Sequence, residues 1–493
     1  MNKVKNLKII NIFIIFIPLI IFLIIGTGLV LTNKPWTDES FLASSAVNLV
    51  REGHMANTNY ISLGDLGPPM VNPLYFFNQA LVVKIFGASL FMMRFSSLFW
   101  GLVALVAIIF LLKKITDNKI IIFLSLLLVS TDIFFLKSSS SARMDMMSAS
   151  FSLIALAFYF NLREKRFKIA VLLSNLFIGL SILTHVIGIL SLFALIFLVI
   201  YLDRKKINLK VVLIAIAPYL ACGLFWGIYI FKNVDSFVNQ FYQIFKPGIN
   251  KETNLLKLIY NEFSDRYLNA YGLSNERSSV FSIIKLPIII FYFICFVVSP
   301  IIVKEKSKKI FWWILLFYFL GLTFIPIHKS EAYLCWITPF FIINASLIFC
   351  KFNGKRILKS VFIFCFIAIL LISISRSIYS IKNNDYQNIY ISDLKTFNEK
   401  YYDGGKIYGP GEITFYYGFN DNIIQDDDTI GFYTKILPEY IATNSRYESN
   451  FEEYKTLNFK IYNHIRETLD KKFVKVFEGN YFTFYKKIVP QKS

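Results

Sequence analysis

The sequence predicts an α-helical polytopic membrane protein that ends in a small α/β domain. Of its 493 residues, 56% are hydrophobic and 17% are charged, whereas soluble domains average about 45–50% apolar and about 25% charged residues. The apolar residues fall in long runs, and about 20 such residues in a row can cross a bilayer as a helix. This composition excludes soluble enzymes and soluble nucleic-acid binders.

Apolar runs of spanning length extend to residue 378 and predict about 11–13 spans. Eleven of them are placed at 9–31, 91–112, 120–136, 146–162, 169–184, 186–202, 211–231, 286–303, 310–327, 334–350 and 360–378. The continuous run 169–202 is divided at His185. The shorter stretch 71–87 is expected to be an interfacial or re-entrant helix. The first run is too long for a signal-peptide core, so we expect it to remain as a span.

The net charge of +20 indicates membrane topology rather than nucleic-acid binding. Residues 376–493 carry 16 Lys and Arg and 16 Asp and Glu, so the excess lies between the apolar runs. Six of these segments hold 22 Lys and Arg, namely 1–8, 113–119, 163–168, 203–210, 304–309 and 351–359. The positive-inside rule makes them and the N-terminus cytoplasmic, in a protein that we place in the plasma membrane. The loops 32–90 and 232–285 and the C-terminal tail then lie outside.

Residues 1–378 are predicted to form the transmembrane domain and residues 379–493 an extracytoplasmic α/β domain. Alternating side chains predict a strand at 406–408 and a hairpin of 473–477 with 481–485. Segment 451–470 has helical spacing. The acidic run 426–428 could bind a cation, although such a run in a loop is usually solvated.

Asp38 and Glu39 directly follow the first span on the predicted outer side. Two adjacent carboxylates at a membrane surface are costly unless they are hydrated, paired or bound to a metal ion. They are therefore a candidate catalytic pair. The alternative is a solvated loop start at which Thr37 or Asp38 caps the following helix.

Arg143 and Asp145 lie at the outer mouth of the fourth span. Arg143 could hold a phosphate in a forked contact, or it could be an interfacial anchor while Asp145 favours the helix dipole. His185 interrupts an apolar run. It is either brought to the outer surface by a break in the helix or bonded to a neighbouring helix.

The outer turn 328–333 combines His328, Lys329 and Tyr333, which together favour a phosphate-binding cluster. Lys and Tyr are also ordinary interfacial anchors, and Arg94 could be a simple flanking charge. All these residues map to one membrane face, while the middles of the spans carry almost no charge. Transporters tend to place ionisable groups at mid-membrane depth, so this pattern favours chemistry at the outer surface.

Other site types find no support in the sequence. None of the five cysteines has CxxC or CxxxH spacing, so neither a disulfide framework nor a zinc site is indicated. No phosphate-binding loop, dinucleotide fingerprint or nucleophile elbow is present. ATP hydrolysis, a dinucleotide cofactor and a serine nucleophile are therefore not expected.

In the order and spacing of these residues the chain resembles the GT-C glycosyltransferases, specifically the branch of protein O-mannosyltransferases and ArnT-like aminoarabinose transferases. The resemblance covers residues 1–375 and implies the GT-C fold. It rests on Asp38-Glu39, Asn72-Pro73-Leu74-Tyr75, Phe86-Gly87 with Arg94, Arg143-x-Asp145, His185 with Gly188, and His328-Lys329 to Tyr333 followed by Pro339. Many members have Lys at the places of Val71-Asn72 and His185.

The resemblance implies an inverting transfer of a sugar from a polyprenyl-phosphate carrier to a protein, lipid or cell-surface glycan on the outer face. Asp38 would be the general base, and Glu39 would orient it or help to hold a metal ion. A divalent metal ion is left open as a cofactor, since no ligand set is evident. The residues that would bind carrier phosphate and substrate are Arg94, Arg143, Asp145, His185, His328, Lys329 and Tyr333.

Two other functions suit a polytopic chain. A flippase or other transporter of lipid-linked sugars would need a continuous polar lining through the spans, which the sequence lacks. A non-catalytic surface assembly factor would bind partners through its tail and would tolerate alanine at Asp38 and Arg143.

Overall fold

The computed structural model of the protein describes residues 2–60, 69–245, 254–271, 284–324, 329–352 and 354–488. Up to residue 383 these residues are almost entirely helical, because a helix satisfies its own backbone hydrogen bonds where no water is available. The helices are α1 (Asn2–Thr32), α2 (Thr37–Glu52), α3 (Pro73–Phe86), α4 (Leu90–Ile115), α5 (Lys119–Thr131), α6 (Ile133–Ser139), α7 (Met144–Leu162), α8 (Phe167–Thr184), α9 (Ile189–Asp203), α10 (Leu209–Phe231), α11 (Val234–Phe245), α12 (Leu255–Asn261), α13 (Leu286–Ile302), α14 (Lys306–Phe324), α15 (Leu334–Lys351) and α16 (Arg356–Asn383). A π-helical turn at Glu262–Leu268 follows α12, and 3₁₀ turns lie at Val186–Gly188, Arg204–Lys206 and Glu331–Tyr333.

Each of the eleven predicted spans corresponds to a helical segment. Within the described residues, nine segments are long and apolar enough to cross a membrane, and the pair α5 and α6, bent by 59°, is a tenth candidate. Helix α13 is a shorter apolar helix of 17 residues, as is α3 with 14. The bend has a local cause: the Asp132 carboxylate accepts hydrogen bonds from the backbone N–H groups of Phe134 and Phe135 at 3.0 and 2.9 Å, which starts a new helix.

The chain forms two compact units. The first comprises residues 1–29, 70–75 and 97–379, and the second comprises residues 30–69, 76–96 and 380–493. Most of the spans therefore belong to the first unit. The second contains the C-terminal tail and two pieces of the first predicted outer loop.

Helix α15 is the buried centre of the first unit. All its residues from Leu334 to Phe349 are buried, and it contacts α5, α6, α7, α13 and α14. Its amide side chain is satisfied inside the unit, because Asn344 accepts from Ser299 at 2.7 Å and donates to the Phe311 carbonyl at 3.2 Å. A helix buried on every side must pair its polar groups in this way.

A chain of hydroxyl groups joins α7, α8, α9 and α14. Ser181 contacts Ser148 at 2.8 Å and Ser152 at 2.9 Å, and Ser191 contacts Ser152 at 2.7 Å and Tyr318 at 2.6 Å. Small polar residues allow helices in a bilayer to approach closely and to bond to one another. These contacts fix the end of α8, immediately before His185.

The tail folds around a five-stranded sheet with the order β2-β1-β3-β5-β4. Its strands are β1 (Ile407–Tyr408), β2 (Ile424–Gln425), β3 (Tyr440–Thr443), β4 (Phe473–Glu478) and β5 (Thr483–Lys487), and its helices are α17 (Ser392–Lys400), α18 (Ser445–Leu457) and α19 (Phe459–Lys472). β1 is parallel to β2 and β3, while β5 is antiparallel to β3 and β4. The predicted strand at 406–408 and the predicted hairpin are confirmed, and segment 451–470 falls in two helices.

The sheet has a hydrophobic core on each face. Along β3, Tyr440 and Ala442 belong to one buried cluster and Ile441 to the other, because successive strand residues point to opposite faces. The first cluster contains Phe397 of α17, and the second contains Phe451 of α18. A two-sided core explains why short strands of two residues suffice for β1 and β2.

The acidic run 426–428 is buried, so the prediction of a solvated run is wrong. Asp426 accepts from Gly411 N at 2.9 Å and from the Tyr447 hydroxyl at 2.7 Å. Asp427 accepts from the backbone of Thr429 and of Gly431. The tail fold thus supplies these carboxylates with the hydrogen-bond donors that water was expected to supply.

We predict that Asp426 makes the protein less stable as the pH rises. Burial raises the pKa of Asp426 to about 7, and the nearby carboxylates of Asp428 and Glu412 add to this rise. Because the folded state holds the proton more tightly than the unfolded state, stability falls between about pH 4 and pH 7, by up to about 1.4 kcal/mol per pH unit. Unfolding of the full-length protein in detergent at about pH 5 and about pH 8 measures this. The free energy of unfolding of Asp426→Asn, relative to that of the wild type, should be higher at about pH 8 than at about pH 5. Equal pH dependence of the two proteins would contradict the prediction.

Candidate functional site

The predicted site residues divide between the two units. Asp38, Glu39 and Arg94 belong to the second unit. His328 lies outside the described residues. The remaining predicted residues belong to the first unit and are Arg143, Asp145, His185, Lys329 and Tyr333.

Asp38 and Glu39 occupy the first turn of α2 but have opposite environments. The Asp38 side chain is exposed, whereas only 1% of Glu39 is accessible to solvent. The difference follows from helix geometry, because consecutive residues point about 100° apart around the axis. The predicted cap by Thr37 or Asp38 is not formed. Instead Glu39 reaches back and accepts a hydrogen bond from Trp36 N at 2.8 Å, which caps the helix from inside its own first turn.

Arg94 holds Glu39 in a bidentate ion pair. Its Nε and Nη2 atoms lie 2.7 and 2.6 Å from the two carboxylate oxygens, and both side chains are buried. The remaining N–H groups donate to backbone carbonyls at and just after the end of α1, namely those of Val30, Asn33 and Lys34. A guanidinium has five N–H donors, and all five have acceptors here. Arg94 therefore has no donor left for a phosphate.

Arg143 and Asp145 form a buried pair where α7 begins. Arg143 is extended, with φ −131° and ψ 157°, and its Nε atom donates to Asp145 Oδ2 at 2.8 Å. Asp145 is fully buried, and its Oδ1 atom accepts no hydrogen bond. This oxygen faces the imidazole of His185, with Nε2 at 3.9 Å. An orphaned carboxylate oxygen in a buried place marks a site at which a further donor would be stabilised.

His185 breaks the helix as predicted. Its backbone is extended, with φ −155° and ψ 130°, between the end of α8 and the turn Val186–Gly188. Its Nδ1 atom accepts from Ile187 N at 3.0 Å, so the proton of the neutral ring is assigned to Nε2, the atom nearer to Asp145. Gly188 permits the turn, because a Cβ atom there would lie 2.7 Å from the Ser181 carbonyl carbon.

Two aromatic side chains adjoin the His185 ring. Tyr333 and Trp336 present their rings at 5.5 and 5.8 Å from it, both in edge-to-face geometry. Trp336 is buried, and its indole N–H has no hydrogen-bond acceptor. The ring nitrogen of Trp336 is thus a second unsatisfied polar group in this part of the first unit. Trp336 was not predicted, because it lies in an apolar run in which nothing distinguishes it from the other aromatic residues.

The structure adds Glu262 and Arg266, which the sequence analysis missed. Both are fully buried in the π-helical turn, with Arg266 Nε donating to Glu262 Oε1 at 2.6 Å. The guanidinium also donates to the Ser330 carbonyl at 2.8 Å and lies 5.3 Å from the centre of the Tyr333 ring. The available signal was an acidic and a basic residue four positions apart in a stretch with helical spacing.

Lys329 lies against the same carboxylate. Its Nζ atom is 2.9 Å from Glu262 Oε2 and donates to the carbonyls of Leu322 and Thr323 at the end of α14. Burial lowers the pKa of Lys329, although Glu262 opposes this. Glu262 carries one negative charge against the two cations, Arg266 and Lys329.

A metal centre finds no support in the described part of the chain. No three His, Cys, Asp or Glu side chains there are grouped closely enough to hold an ion. Glu39, the ligand implied by the resemblance, has both oxygens in contact with Arg94.

The comparison with known proteins decides the fold. Residues 68–229 match the family model described as dolichyl-phosphate-mannose-protein mannosyltransferase, and no curated protein sequence matches the chain. Apo ArnT from Cupriavidus metallidurans superposes with a TM-score of 0.60 at 10% identity, over 99% of this chain and 98% of that one. The chain has the GT-C fold. The fold that the sequence resemblance implies is thereby confirmed, with spans followed by a small sheet domain.

Two further structures share the GT-C fold with this chain. ArnT bound to undecaprenyl phosphate gives a TM-score of 0.56 at 11% identity, over 97% of this chain and 98% of that one. The Archaeoglobus fulgidus oligosaccharyltransferase in complex with zinc and sulfate gives 0.57 at 11% identity, over 94% of this chain and 72% of that one. At these identities the likeness concerns the fold alone.

We predict that Arg94→Met strongly destabilises the protein. Removing one partner of a buried ion pair costs about 3–5 kcal/mol because the other charge stays buried without compensation. Unfolding in detergent measures the loss, and the double variant Arg94→Met with Glu39→Gln should recover part of it. Lys395→Met is the control, because Lys395 and Glu399 form an exposed pair at 3.8 Å worth less than about 1 kcal/mol. Equal losses for the two single variants would contradict the prediction.

Proposed function

We propose that the protein transfers a sugar from a polyprenyl-phosphate-linked donor to an acceptor on the outer face of the membrane. The acceptor class is a protein, a lipid or a cell-surface glycan. The observation that carries this proposal is the difference in environment between the two carboxylates that follow α1. Glu39 is neutralised by Arg94, while Asp38 is exposed on the same helical turn. The mannosyltransferase family match and the undecaprenyl phosphate bound by ArnT support the choice of donor.

Asp38 is the proposed general base. It takes the proton from an acceptor hydroxyl while the acceptor oxygen bonds to the anomeric carbon of the sugar. The bond from that carbon to the phosphate oxygen breaks, and the polyprenyl phosphate leaves with the electron pair, so the anomeric configuration inverts. A phosphate is already a good leaving group, and a positioned base supplies typically 10²–10⁴-fold of rate.

The carrier phosphate is proposed to bind in the first unit. Arg143 offers a guanidinium that suits forked contacts with phosphate, and the Nε2–H of His185 and the indole N–H of Trp336 are additional donors. Arg266 and Tyr333 contribute positive charge and a hydroxyl group. Donors and cations aimed at the leaving oxygen stabilise the charge that develops there.

The other predicted residues receive different roles in this proposal. Arg94 and Lys329 act as positioning residues, because their donors are committed to carbonyls and to a carboxylate. Asp145 orients Arg143 through its Oδ2 atom. His328 stays a phosphate ligand on the sequence argument alone.

The orientation of the protein is proposed from its charge pattern. The segments with 22 Lys and Arg between the spans face the cytoplasm, together with the N-terminus. The tail then lies outside the plasma membrane, where a donor on the outer leaflet and a surface acceptor are both available. Domain 1–378 would hold the membrane-embedded part and 379–493 the outer part.

We predict that Asp38→Asn abolishes transfer while the protein still inserts. Loss of the base should reduce the rate by roughly 100-fold or more. The measurement is mass spectrometry of surface glycans in a deletion strain that expresses each variant. Glu52→Gln is the matched control, because Glu52 is an exposed carboxylate at the other end of α2. Wild-type glycans in the Asp38→Asn strain would contradict the role of Asp38, and carrier transport across vesicles without a sugar linkage would favour a flippase.

We also predict that Arg143→Lys weakens the binding of undecaprenyl phosphate by about 10-fold. Lysine keeps the charge but loses the planar fork that matches a phosphate. Stabilisation of the detergent-solubilised protein by added undecaprenyl phosphate measures the affinity. Arg466→Lys serves as control, because Arg466 forms an exposed pair with Glu452 in the tail. Unchanged binding by Arg143→Lys would exclude Arg143 from the phosphate site.

A further inference from the structure

The residue before the proposed base is tied to the tail of the protein. Thr37 is the first residue of α2, and its hydroxyl donates to Glu412 Oε2 at 2.9 Å across 375 positions of sequence. Glu412 belongs to the 3₁₀ turn Gly411–Phe415 of the tail and is 1% exposed. All these residues lie in the second unit. The first turn of α2 therefore has one partner in the tail, Glu412, and another in α4, Arg94.

The Glu412 carboxylate is anchored independently of Thr37. Its Oε1 atom accepts from Asn444 at 2.8 Å and from the Tyr481 hydroxyl at 3.0 Å. Its backbone carbonyl accepts from the Tyr390 hydroxyl at 2.7 Å. Two neutral donors, Asn444 and Tyr481, thus hold the buried carboxylate through its Oε1 atom, apart from the bond to Thr37. Glu412 is thus a rigid acceptor to which Thr37 is attached.

A second contact with the tail fixes the backbone of the same turn. The Thr37 carbonyl accepts from the Ser40 hydroxyl at 2.7 Å, and the Ser40 hydroxyl contacts that of Tyr60 at 2.5 Å. Beside Tyr60, the Asn59 carbonyl accepts from Asp426 N at 2.6 Å. Tyr60 packs so closely on Gly411 that a Cβ atom there would lie 2.2 Å from its hydroxyl.

Lys34 adds a contact on the other side of the turn. Its ammonium lies 3.4 Å from the centre of the Tyr481 ring, a cation–π distance. Tyr481 also donates to Glu412, so one tail residue contacts both the approach to α2 and the acceptor of Thr37. The exposed Asp38 is flanked in sequence by Thr37, bound to the tail, and by Glu39, bound to Arg94.

We propose that Glu412 is a positioning residue for the transfer reaction and that it sets the direction of Asp38 through Thr37. The tail domain is then part of the catalytic apparatus rather than a separate binding module. This inference rests on the proposed role of Asp38 as the base. A first helical turn frays easily when it is unsupported, and a misplacement of about 1 Å in a reacting group can cost about 100-fold in rate.

Thr37→Val tests the proposal, because valine keeps the shape of threonine and removes only the hydroxyl. Asn444 and Tyr481 still bond to Glu412 Oε1, so the tail should keep its fold. The assay measures incorporation of labelled sugar from undecaprenyl-phosphate-linked donors into membranes of the deletion strain. We expect kcat to fall about 10- to 100-fold with little change in the KM for the donor. Thr396→Val is the matched control, because Thr396 donates to the Ser392 carbonyl at an exposed place in the tail.

Conservative variants separate positioning from general stability. Thr37→Ser restores the hydroxyl and should restore kcat. Glu412→Gln should also keep most of kcat, because its amide N–H can donate to the Thr37 oxygen while its carbonyl still accepts. Unchanged kcat in Thr37→Val, with Asp38→Asn inactive, would overturn the positioning role and leave the proposed function intact. Normal kcat in both variants would refute Asp38 as the base and with it this inference.

Discussion

The buried ion pair of Arg94 and Glu39 is the interaction on which the start of α2 depends. A helix that leaves a bilayer ends with backbone carbonyls that have no partner inside the helix. With one guanidinium, Arg94 satisfies one carbonyl in the last turn of α1, two carbonyls just after it and both oxygens of Glu39. A buried pair of charges is tolerated only when its remaining donors are also bonded, and this pair meets that condition. These bonds consequently hold the connection from α1 to α2 in place. The exposed Asp38 lies directly beside it, in the first turn of α2.

Environment, and not residue type, separates the two adjacent carboxylates. Glu39 is enclosed and neutralised, so it serves the structure, whereas Asp38 keeps its access to solvent. Burial has the same structural outcome for the acidic run in the tail, where Asp426 and Asp427 bond to backbone N–H groups. A carboxylate of this protein is thus a chemical candidate only where the fold leaves it accessible.

Interruptions of regular helix place the polar groups of the first unit. Arg143 and His185 are extended residues at helix ends, Tyr333 lies in a 3₁₀ turn, and Arg266 lies in a π-helical turn. Each interruption frees backbone groups that must be bonded locally, as when Ile187 N donates to His185. Such breaks in an apolar helix are expensive in a bilayer unless they are buried in protein or line a cavity. Their concentration around His185 and Tyr333 is the strongest structural mark of a binding site.

The sequence by itself determined the membrane class, the position of the spans, the break at His185 and the hairpin of the tail. These features depend on local hydropathy and on residue periodicity, which a short stretch of chain carries within itself. The structure decided which polar side chains are available, because Arg94 and Glu39 are 55 positions apart and Thr37 and Glu412 are 375 apart. It also revealed Glu262 and Arg266, whose burial depends on neighbours from other helices. Pairing between distant residues leaves no periodic trace in either partner, so only the tertiary structure could assign it.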